Sequence, residues 1–138
     1  MLCEKLRPVD IALALQELPN TPFLNTGGSN GHIAFPPWLD AFVESLELGT
    51  VMLAQLRKLP AYQGIPVHVD SPSMSTLNQG RRFHIPLITH PLVTMRWPDD
   101  GEEHHLEAGW LYQVDHTKLH EIVHRAPVDR IHVQVNAL

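Results

Sequence analysis

A histidine and an aspartate stand two residues apart in the segment IPVHVD, residues 65–70, which otherwise has the composition of a β-strand. Because side chains alternate between the two faces of a strand, His68 and Asp70 would lie on the same face. An imidazole beside a carboxylate offers two adjacent ligands to a divalent metal ion. A solvent-facing pair on an amphipathic strand has the same pattern, so the pair needs further ligands before it predicts a site.

Histidine is concentrated after this segment: of the 10 histidines in the chain, only His32 precedes His68. His116, His120 and His124 are spaced four apart, which on a helix would place all three on one face, as in a zinc site. The segment HEIVH within this stretch alternates like a strand, and on a strand His120 and His124 would share a face. The sequence leaves both arrangements open, and the period of HEIVH favours the strand.

The histidines combine with other residues into a more specific pattern. His68 and Asp70 are followed about fifty residues later by His120, and Arg130 comes ten residues after that. Two imidazoles and one carboxylate form the ligand set of many non-haem iron(II) sites, and arginine can bind a carboxylate through two parallel hydrogen bonds. Four such residues at this spacing rarely occur together by chance.

This string of residues resembles that of the iron(II)- and 2-oxoglutarate-dependent oxygenases. More narrowly, three segments resemble the aspartyl/asparaginyl β-hydroxylase family, to which bacterial proline 3-hydroxylase also belongs. They are IPVHVD at 65–70, RRFHIPLITHPLVTMRWP at 81–98 and HLEAGWLYQVDHTKLHEIVHRAPVDRIHVQV at 105–135. The resemblance covers roughly residues 50–136 and does not extend to residues 1–49.

The resemblance implies a metal site in which iron(II) is bound by His68, Asp70 and His120. These residues match the first histidine, the carboxylate and the distal histidine of the iron triad. The vertebrate aspartyl hydroxylase has a glycine where Asp70 stands, so on this point the chain is more similar to the bacterial amino-acid hydroxylases. His116 and His124 are then expected at the surface or near the ligands, without binding the metal.

The resemblance also implies a site for the co-substrate. Arg130 matches the arginine that pairs with the distal carboxylate of 2-oxoglutarate, and Arg82 and His84 match an Arg-x-His pair that helps to hold the co-substrate. Iron with three protein ligands keeps coordination positions for 2-oxoglutarate and for dioxygen. On a strand Arg82 and His84 would point to the same side, so both could reach one cavity.

A β-rich scaffold is needed to bring these residues together, and the composition agrees with one. The 12 prolines cut the chain into short pieces, which disfavours a helical bundle. Two short helices are predicted, one after the N-cap candidate Asp10 and one from the prolines at 36–37 to Gly49. Short β-branched, aromatic or alternating segments follow: TVMLAQLRKLP, GIPVHVD, RRFHIPLIT, LVTMRWP, GWLYQVD, HEIVH and DRIHVQV.

The predicted fold is therefore mainly β, and the resemblance implies a double-stranded β-helix, or jelly roll, with short N-terminal helices. We expect one domain over residues 1–138, with a helical N-terminal region at 1–49 and a jelly-roll core that carries the metal site at 50–138. The segment EEHH, residues 102–105, is expected to form an exposed turn.

Charge and composition argue against several classes of partner. The formal net charge is −5 and no basic run is longer than the pair Arg81 and Arg82, which argues against a nucleic-acid surface. No segment has the roughly 18 consecutive apolar residues of a membrane span, and the start of the chain lacks the pattern of a signal peptide. The single cysteine, Cys3, cannot form an intrachain disulfide, which favours a reducing, cytoplasmic compartment.

We therefore expect a dioxygenase that uses Fe(II), 2-oxoglutarate and O2 to hydroxylate an unactivated C–H bond of a free amino acid or of a residue in a peptide or protein. The loops at 24–32 and 71–80, Arg96 and a second subunit of a homodimer are candidates for selecting the substrate or closing the site. Two alternatives stay open. One is a jelly-roll metal-binding protein or metalloenzyme that does not use 2-oxoglutarate, and the other is a zinc-binding sensor built on the three histidines from His116 to His124.

Overall fold

The computed structural model describes residues 2–27 and 31–138, so residues 28–30 of the loop predicted at 24–32 lie outside the described ranges. The helices are α1 (Ala12–Glu17) and α2 (Pro37–Glu44), and turns of 3₁₀-helix cover Leu18–Asn20 and Thr76–Asn78. The strands in chain order are β1 (Cys3–Pro8), β2 (Leu24–Asn25), β3 (His32–Ala34), β4 (Val51–Leu59), β5 (Ile65–His68), β6 (Arg81–Ile88), β7 (Val93–Trp97), β8 (Glu102–His104), β9 (Trp110–Val114), β10 (His120–His124) and β11 (Arg130–Ala137).

The strands form two antiparallel sheets. The larger sheet has the order β1-β9-β6-β11-β4-β3-β2, and the smaller sheet has the order β5-β10-β7-β8. From β4 to β11 the chain changes sheet at each step except in the β7–β8 hairpin. Such alternation between two sheets is the connectivity of a jelly roll. The fold is therefore mainly β, and the prediction of a jelly roll with short N-terminal helices is confirmed.

Strand β11 shows how the large sheet separates apolar from polar side chains. Apolar residues point to the outer face, where they pack with the helices: Ile131, Val133 and Val135. The alternate residues are buried on the inner face: Arg130, His132, Gln134 and Asn136. Neighbouring strands continue this polar surface, since His132 lies opposite Arg57 on β4. Asn136 likewise lies opposite Arg82 on β6. A buried face with this many polar groups is typical of a binding site, because an ordinary core would be apolar.

The two helices cover the outer face of the large sheet. Leu39 and Val43, four residues apart on α2, are 1% and 2% exposed and belong to the same apolar cluster as residues of β6 and β11. Helix α2 begins with Pro37 in its first turn, as predicted. Within the described ranges, no helix combines the length and the apolarity needed to cross a lipid bilayer.

A second apolar cluster joins the two sheets. It includes Leu59 of the large sheet and Met95 and Ile122 of the small sheet, all at most 7% exposed. Trp97 is fully buried in this cluster, and its Nε1–H donates a hydrogen bond to the Asp115 carbonyl at 3.0 Å. Because buried side chains pack closely, this cluster fixes β7 and β10 against the large sheet and so positions the small-sheet side of the cavity described below.

All seven segments predicted as strands from residue 50 onward are strands in the structure. The ambiguous segment HEIVH is β10, which pairs with β5 on one side and with β7 on the other. A helix at this position would leave β5 without a partner strand and β7 paired with β8 alone, so tertiary pairing decides the conformation. The helical face of His116, His120 and His124 is therefore not formed.

The N-terminal region differs from the helical segment predicted at 1–49, because it also supplies three strands to the large sheet. Strand β1 pairs with β9 at one edge, while β2 and β3 extend the opposite edge beyond β4. Strand β1 has the sequence CEKLRP, in which most side chains are exposed and no apolar alternation is visible. Its conformation comes from pairing with β9, which the local sequence pattern does not reveal.

Two smaller predictions also need correction. Residues 102–104 of EEHH form β8, which pairs with β7, and the turn falls at residues 98–101 instead. The N-cap of α1 is Ile11, one residue after the predicted Asp10. The Asp10 carboxylate nevertheless accepts a hydrogen bond from the Ala12 backbone N–H at 3.0 Å, so its physical role at the helix start is as expected.

Gly80, just before β6, lies so close to the backbone of β11 that it has no room for a side chain. It has a φ of +77°, and an added Cβ would lie 2.3 Å from the Ala137 carbonyl oxygen on β11. We expect Gly80→Ala to lower the free energy of unfolding by about 3 kcal/mol, because the left-handed conformation costs about 1–2 kcal/mol and displacement of the packed backbone adds about 1–3.

Gly101→Ala is the matched control for this prediction. Gly101 also has a positive φ, +67°, but no atom lies within 4 Å of an added Cβ. We expect this variant to lose only the backbone part, about 1–2 kcal/mol. Urea denaturation of both variants measures the difference, and equal losses would show that the contact between Gly80 and β11 is unimportant.

Candidate metal centre

Two histidines face each other across neighbouring strands of the small sheet. Strands β5 and β10 pair with His68 directly opposite His120, and the centroids of the two rings are 4.4 Å apart. Cross-strand partners have their side chains on the same face of a sheet, so the pairing directs both imidazoles into the cavity between the sheets. A shift of one residue in this pairing would turn one ring to the opposite face.

Asp70 completes a group of three residues that could hold a metal ion. It follows the end of β5, where its backbone N–H donates a hydrogen bond to the His116 carbonyl at 3.0 Å. Its Oδ2 atom lies 3.6 Å from Nε2 of His68 and 3.7 Å from Nε2 of His120. Atoms that each bind one ion at about 2.1 Å are roughly 3–4 Å apart, so the three atoms have the spacing of a common metal site.

Hydrogen bonds to the backbone orient both imidazoles toward Asp70. The Nδ1 atom of His68 lies 2.7 Å from the Pro66 carbonyl, and Nδ1 of His120 lies 2.7 Å from the Lys118 carbonyl. A carbonyl oxygen can only accept, so each Nδ1 carries a proton and donates it. In the neutral rings Nε2 therefore carries the lone pair that a metal ion needs. The hydrogen bond at Nδ1 keeps each ring in this orientation.

Arg82 holds the carboxylate of this group. Its Nη1 donates a hydrogen bond to Asp70 Oδ2 at 2.5 Å. Its Nε donates to Asn136 Oδ1 at 2.8 Å, and its Nη2 donates to Asn78 Oδ1 at 3.3 Å. The guanidinium thus joins the residue after β5 to β6, to β11 and to the loop at 71–80. The sequence predicts Arg82 as a co-substrate residue, and the structure places it against the predicted metal carboxylate.

The charges at this group favour an ionised carboxylate. Burial raises the pKa of Asp70, but the interactions with His68 and Arg82 outweigh it and hold that pKa well below its usual range. The neighbouring Asp70 carboxylate raises the pKa of His68. Burial lowers the pKa of His120. At neutral pH the aspartate is thus a negatively charged ligand beside two imidazoles.

Arg130 lies elsewhere in the same cavity and is 3% exposed. Its Nη2 donates a hydrogen bond to Nδ1 of His132 at 2.8 Å, while its Nε is buried without a hydrogen-bond partner among the described residues. Burial lowers its pKa to about 9, and the positive charge of Arg57 adds to this effect. Among the described side chains, no carboxylate pairs with Arg130. A buried guanidinium in this state fits a carboxylate group brought by a ligand.

His84 is buried beside Arg130 and lines the same cavity. Its Nδ1 lies 3.0 Å from Nδ1 of His132, on the neighbouring strand β11. Burial lowers the pKa of His84 far below its ordinary value, and the charges of Arg130 and Arg82 lower it further. The imidazole is therefore neutral at physiological pH, and it contacts the arginine through His132.

One cavity of about 280 Å³ brings the predicted residues together. Its wall includes all six of them: His68, Asp70, Arg82, His84, His120 and Arg130. Sequence reasoning missed Arg57 and Gln134, which also line the cavity, and His132, which lies behind Arg130. The alternating polar residues in RIHVQVN are a signal that could have revealed His132 and Gln134, because a strand with one buried apolar face seldom buries polar residues on the other.

Three other sequence predictions have different outcomes. His116 and His124 are both buried and not at the surface, and His116 lies near the ligands, the other position expected for it, because its carbonyl accepts the Asp70 backbone N–H. The Nε2 atom of His116 hydrogen-bonds the Asn78 carbonyl at 2.5 Å, beneath the loop at 71–80 that covers it. Arg96 forms an ion pair with Glu121 at 3.2 Å and is not among the residues that line the cavity.

Comparison with known proteins tests the family resemblance independently of this geometry. A family model described as aspartyl/asparaginyl beta-hydroxylase matches residues 35–138. No curated protein sequence matches the chain. A structure described as a predicted oxalate decarboxylase from Thermotoga maritima is similar with a TM-score of 0.52 and 15% identity, and the similarity covers 86% of this chain and 91% of that one.

A second similar structure is a cupin domain from Bordetella pertussis Tohama I, with a TM-score of 0.47 and 15% identity over 64% of this chain and 90% of that one. At such low identity, the likeness to the Thermotoga protein concerns the fold alone. The family match is of another kind, because it covers most of the sequence, including every residue of the candidate site. The chain belongs to the aspartyl/asparaginyl β-hydroxylase family.

Proposed function

We propose that the protein is an Fe(II)- and 2-oxoglutarate-dependent dioxygenase that hydroxylates an unactivated C–H bond of an amino acid or of a residue in a peptide or protein. One observation carries the proposal. A cavity of about 280 Å³ contains both a His-Asp-His group and a buried arginine without a carboxylate partner among the described residues. Membership of a hydroxylase family supports the same reading.

The side chains present fit the metal that the family implies. Two imidazoles whose Nε2 lone pairs face Asp70 in the cavity and one ionised carboxylate are the donors expected for a non-haem iron(II) site with open positions. The residues that would hold the ion are His68, Asp70 and His120, whose ligand atoms lie within 4.8 Å of one another. The hydrogen bonds at Nδ1 of both rings and from Arg82 to Asp70 are the supporting contacts that metal ligands commonly have.

The protein's own residues would divide the work as follows. His68, Asp70 and His120 hold the metal, and Arg82 keeps the Asp70 carboxylate in position. Arg130 binds the distal carboxylate of 2-oxoglutarate with the N–H donors that are not hydrogen-bonded to His132. When bound, iron with 2-oxoglutarate and O2 supplies the oxidation that places a hydroxyl group on the substrate carbon. The two sheets enclose the cavity and limit access of water to the reacting atoms.

The first prediction from this proposal concerns the binding of the metal and of the co-substrate. When Fe(II) and 2-oxoglutarate are added to metal-free protein without oxygen, we expect a weak visible charge-transfer band. Asp70→Ala should lose the band because metal binding fails. Arg130→Ala should still bind the metal but should weaken 2-oxoglutarate binding by about 10- to 100-fold, since a hydrogen-bonded charge partner is removed.

Arg96→Ala is the control, because the side chain of this arginine is 42% exposed, pairs with Glu121 and does not line the cavity. It should leave both affinities unchanged. Metal binding without any 2-oxoglutarate binding in the wild-type protein would contradict the proposal and would favour a metalloprotein that does not use this co-substrate. Succinate release, measured with free amino acids and with peptides, then tests hydroxylation and identifies the substrate class.

The second prediction separates two roles for Arg82. If Arg82 positions Asp70, Arg82→Gln should weaken metal binding by about 10- to 100-fold, as loss of a supporting contact to a metal ligand does. The 2-oxoglutarate affinity at saturating metal should then change little. Isothermal titration with Mn(II), and then with 2-oxoglutarate, measures the two constants separately.

Arg81→Gln is the matched control, since the adjacent arginine hydrogen-bonds the Leu48 and Leu138 carbonyls and does not line this cavity. It should leave metal affinity as in the wild-type protein. If Arg82→Gln instead weakened only 2-oxoglutarate binding, Arg82 would be a co-substrate residue, as the family resemblance predicts.

A further inference from the structure

Arg130 is held by a histidine, although buried arginines are usually paired with a carboxylate. Its Nη2 donates to Nδ1 of His132, two residues along the same strand, at 2.8 Å. His132 is 3% exposed and lies opposite Arg57 on β4. The same Nδ1 atom is also 3.0 Å from Nδ1 of His84. One imidazole nitrogen therefore contacts both the arginine and a second histidine.

These contacts determine where the protons are. A guanidinium can only donate hydrogen bonds, so Nδ1 of His132 must be an acceptor and its proton must be on Nε2. An acceptor nitrogen cannot donate to His84, so the hydrogen bond between the two rings runs from the Nδ1–H of His84 to His132. His84 is thus protonated on Nδ1, and both rings are neutral. A proton on Nδ1 of His132 would break the hydrogen bond from Arg130 and would reverse the one between the two rings.

The chemistry of this arrangement suits a site that receives an anion. A carboxylate partner would neutralise Arg130 and compete with an incoming carboxylate for the same donors. A neutral imidazole fixes the guanidinium but leaves its positive charge in place. The surroundings also keep the imidazole neutral, because it is buried and the positive charge of Arg130, at 2.8 Å, would repel an imidazolium.

We propose that His132 is a positioning residue that holds the guanidinium of Arg130 for the distal carboxylate of 2-oxoglutarate, and that His84 acts through His132 by fixing its protonation. This rests on the proposed function, since it takes 2-oxoglutarate as the ligand of Arg130. It adds support of the arginine, through Nδ1, to the contact with the co-substrate that the resemblance implies for His84. Burial and the charge of Arg130 lower the pKa of His132 far below its ordinary value, in agreement with a neutral ring.

The protonation pattern can be measured directly in metal-free wild-type protein. Nitrogen NMR of the imidazole side chains distinguishes a protonated from an unprotonated ring nitrogen. We expect the proton on Nε2 in His132 and on Nδ1 in His84, with both rings neutral at pH 7. His132 protonated on Nδ1, or charged, would overturn the inference without any reference to activity.

Three substitutions at His132 test its effect on co-substrate affinity. In His132→Asn, the amide Oδ1 takes the place of the Nδ1 acceptor and can receive both hydrogen bonds. His132→Leu removes the acceptor, and His132→Gln moves the amide one carbon further, away from the Nδ1 position. With Mn(II) bound, we expect 2-oxoglutarate affinity to fall about 10- to 100-fold in the Leu and Gln variants and to stay within about threefold of wild type in the Asn variant.

Controls separate this inference from the proposed function. Mn(II) affinity should be unchanged in all three variants, because His132 contacts none of the residues His68, Asp70 and His120 in the described hydrogen bonds. Equal 2-oxoglutarate affinity in the Leu, Asn and wild-type proteins would overturn the positioning role while leaving the proposed function intact. Failure of the wild-type protein to bind 2-oxoglutarate would reject the proposed function and this inference with it. Parallel loss of metal and co-substrate binding would show that His132 has only a structural role.

Discussion

The contact between Asp70 and Arg82 is the interaction on which the site depends, because it joins the two sheets at the point where a metal would bind. Asp70 follows β5 of the small sheet, and Arg82 lies on β6 of the large sheet. Removing two charges from water is costly, and mutual attraction offsets the cost only when the remaining hydrogen bonds are also made. Asn136 and Asn78 supply them on the arginine side. The result is a carboxylate with a fixed position and a stable negative charge.

A buried polar surface of this kind restricts the rest of the fold. The part of the inner face that lines the cavity contributes little hydrophobic stabilisation, since it buries arginine, histidine, glutamine and asparagine side chains. The outer face makes up for this, because the two helices bury apolar side chains of α2, β6 and β11 against it. The helices therefore contribute apolar burial on the outer face, which compensates for the polar side chains around the cavity on the inner face.

Histidines with the same chemistry have different roles because their hydrogen-bond partners differ. His68 and His120 donate from Nδ1 to backbone carbonyls, which turns Nε2 toward Asp70. His84 donates from Nδ1 to another histidine, and His132 accepts through Nδ1 and holds Arg130. The first pair is prepared to bind a cation and the second supports a guanidinium that can bind an anion. A dicarboxylate that also coordinates the metal would use both at once.

The residue types of the candidate site and six of the seven predicted strands after residue 50 follow from the sequence alone, because period-two alternation and the spacing of His68, Asp70, His120 and Arg130 are local or motif-level signals. The sequence also pointed to the jelly roll through the family resemblance. For HEIVH the period favoured a strand but left a helix open, and strand pairing settles the conformation. The addition of β1 to β3 by the N-terminal region likewise depends on which strands become neighbours. Tertiary structure also set Arg82 against Asp70 and His132 against Arg130, since hydrogen bonds between buried side chains follow from packing in three dimensions and leave no periodic trace in the chain.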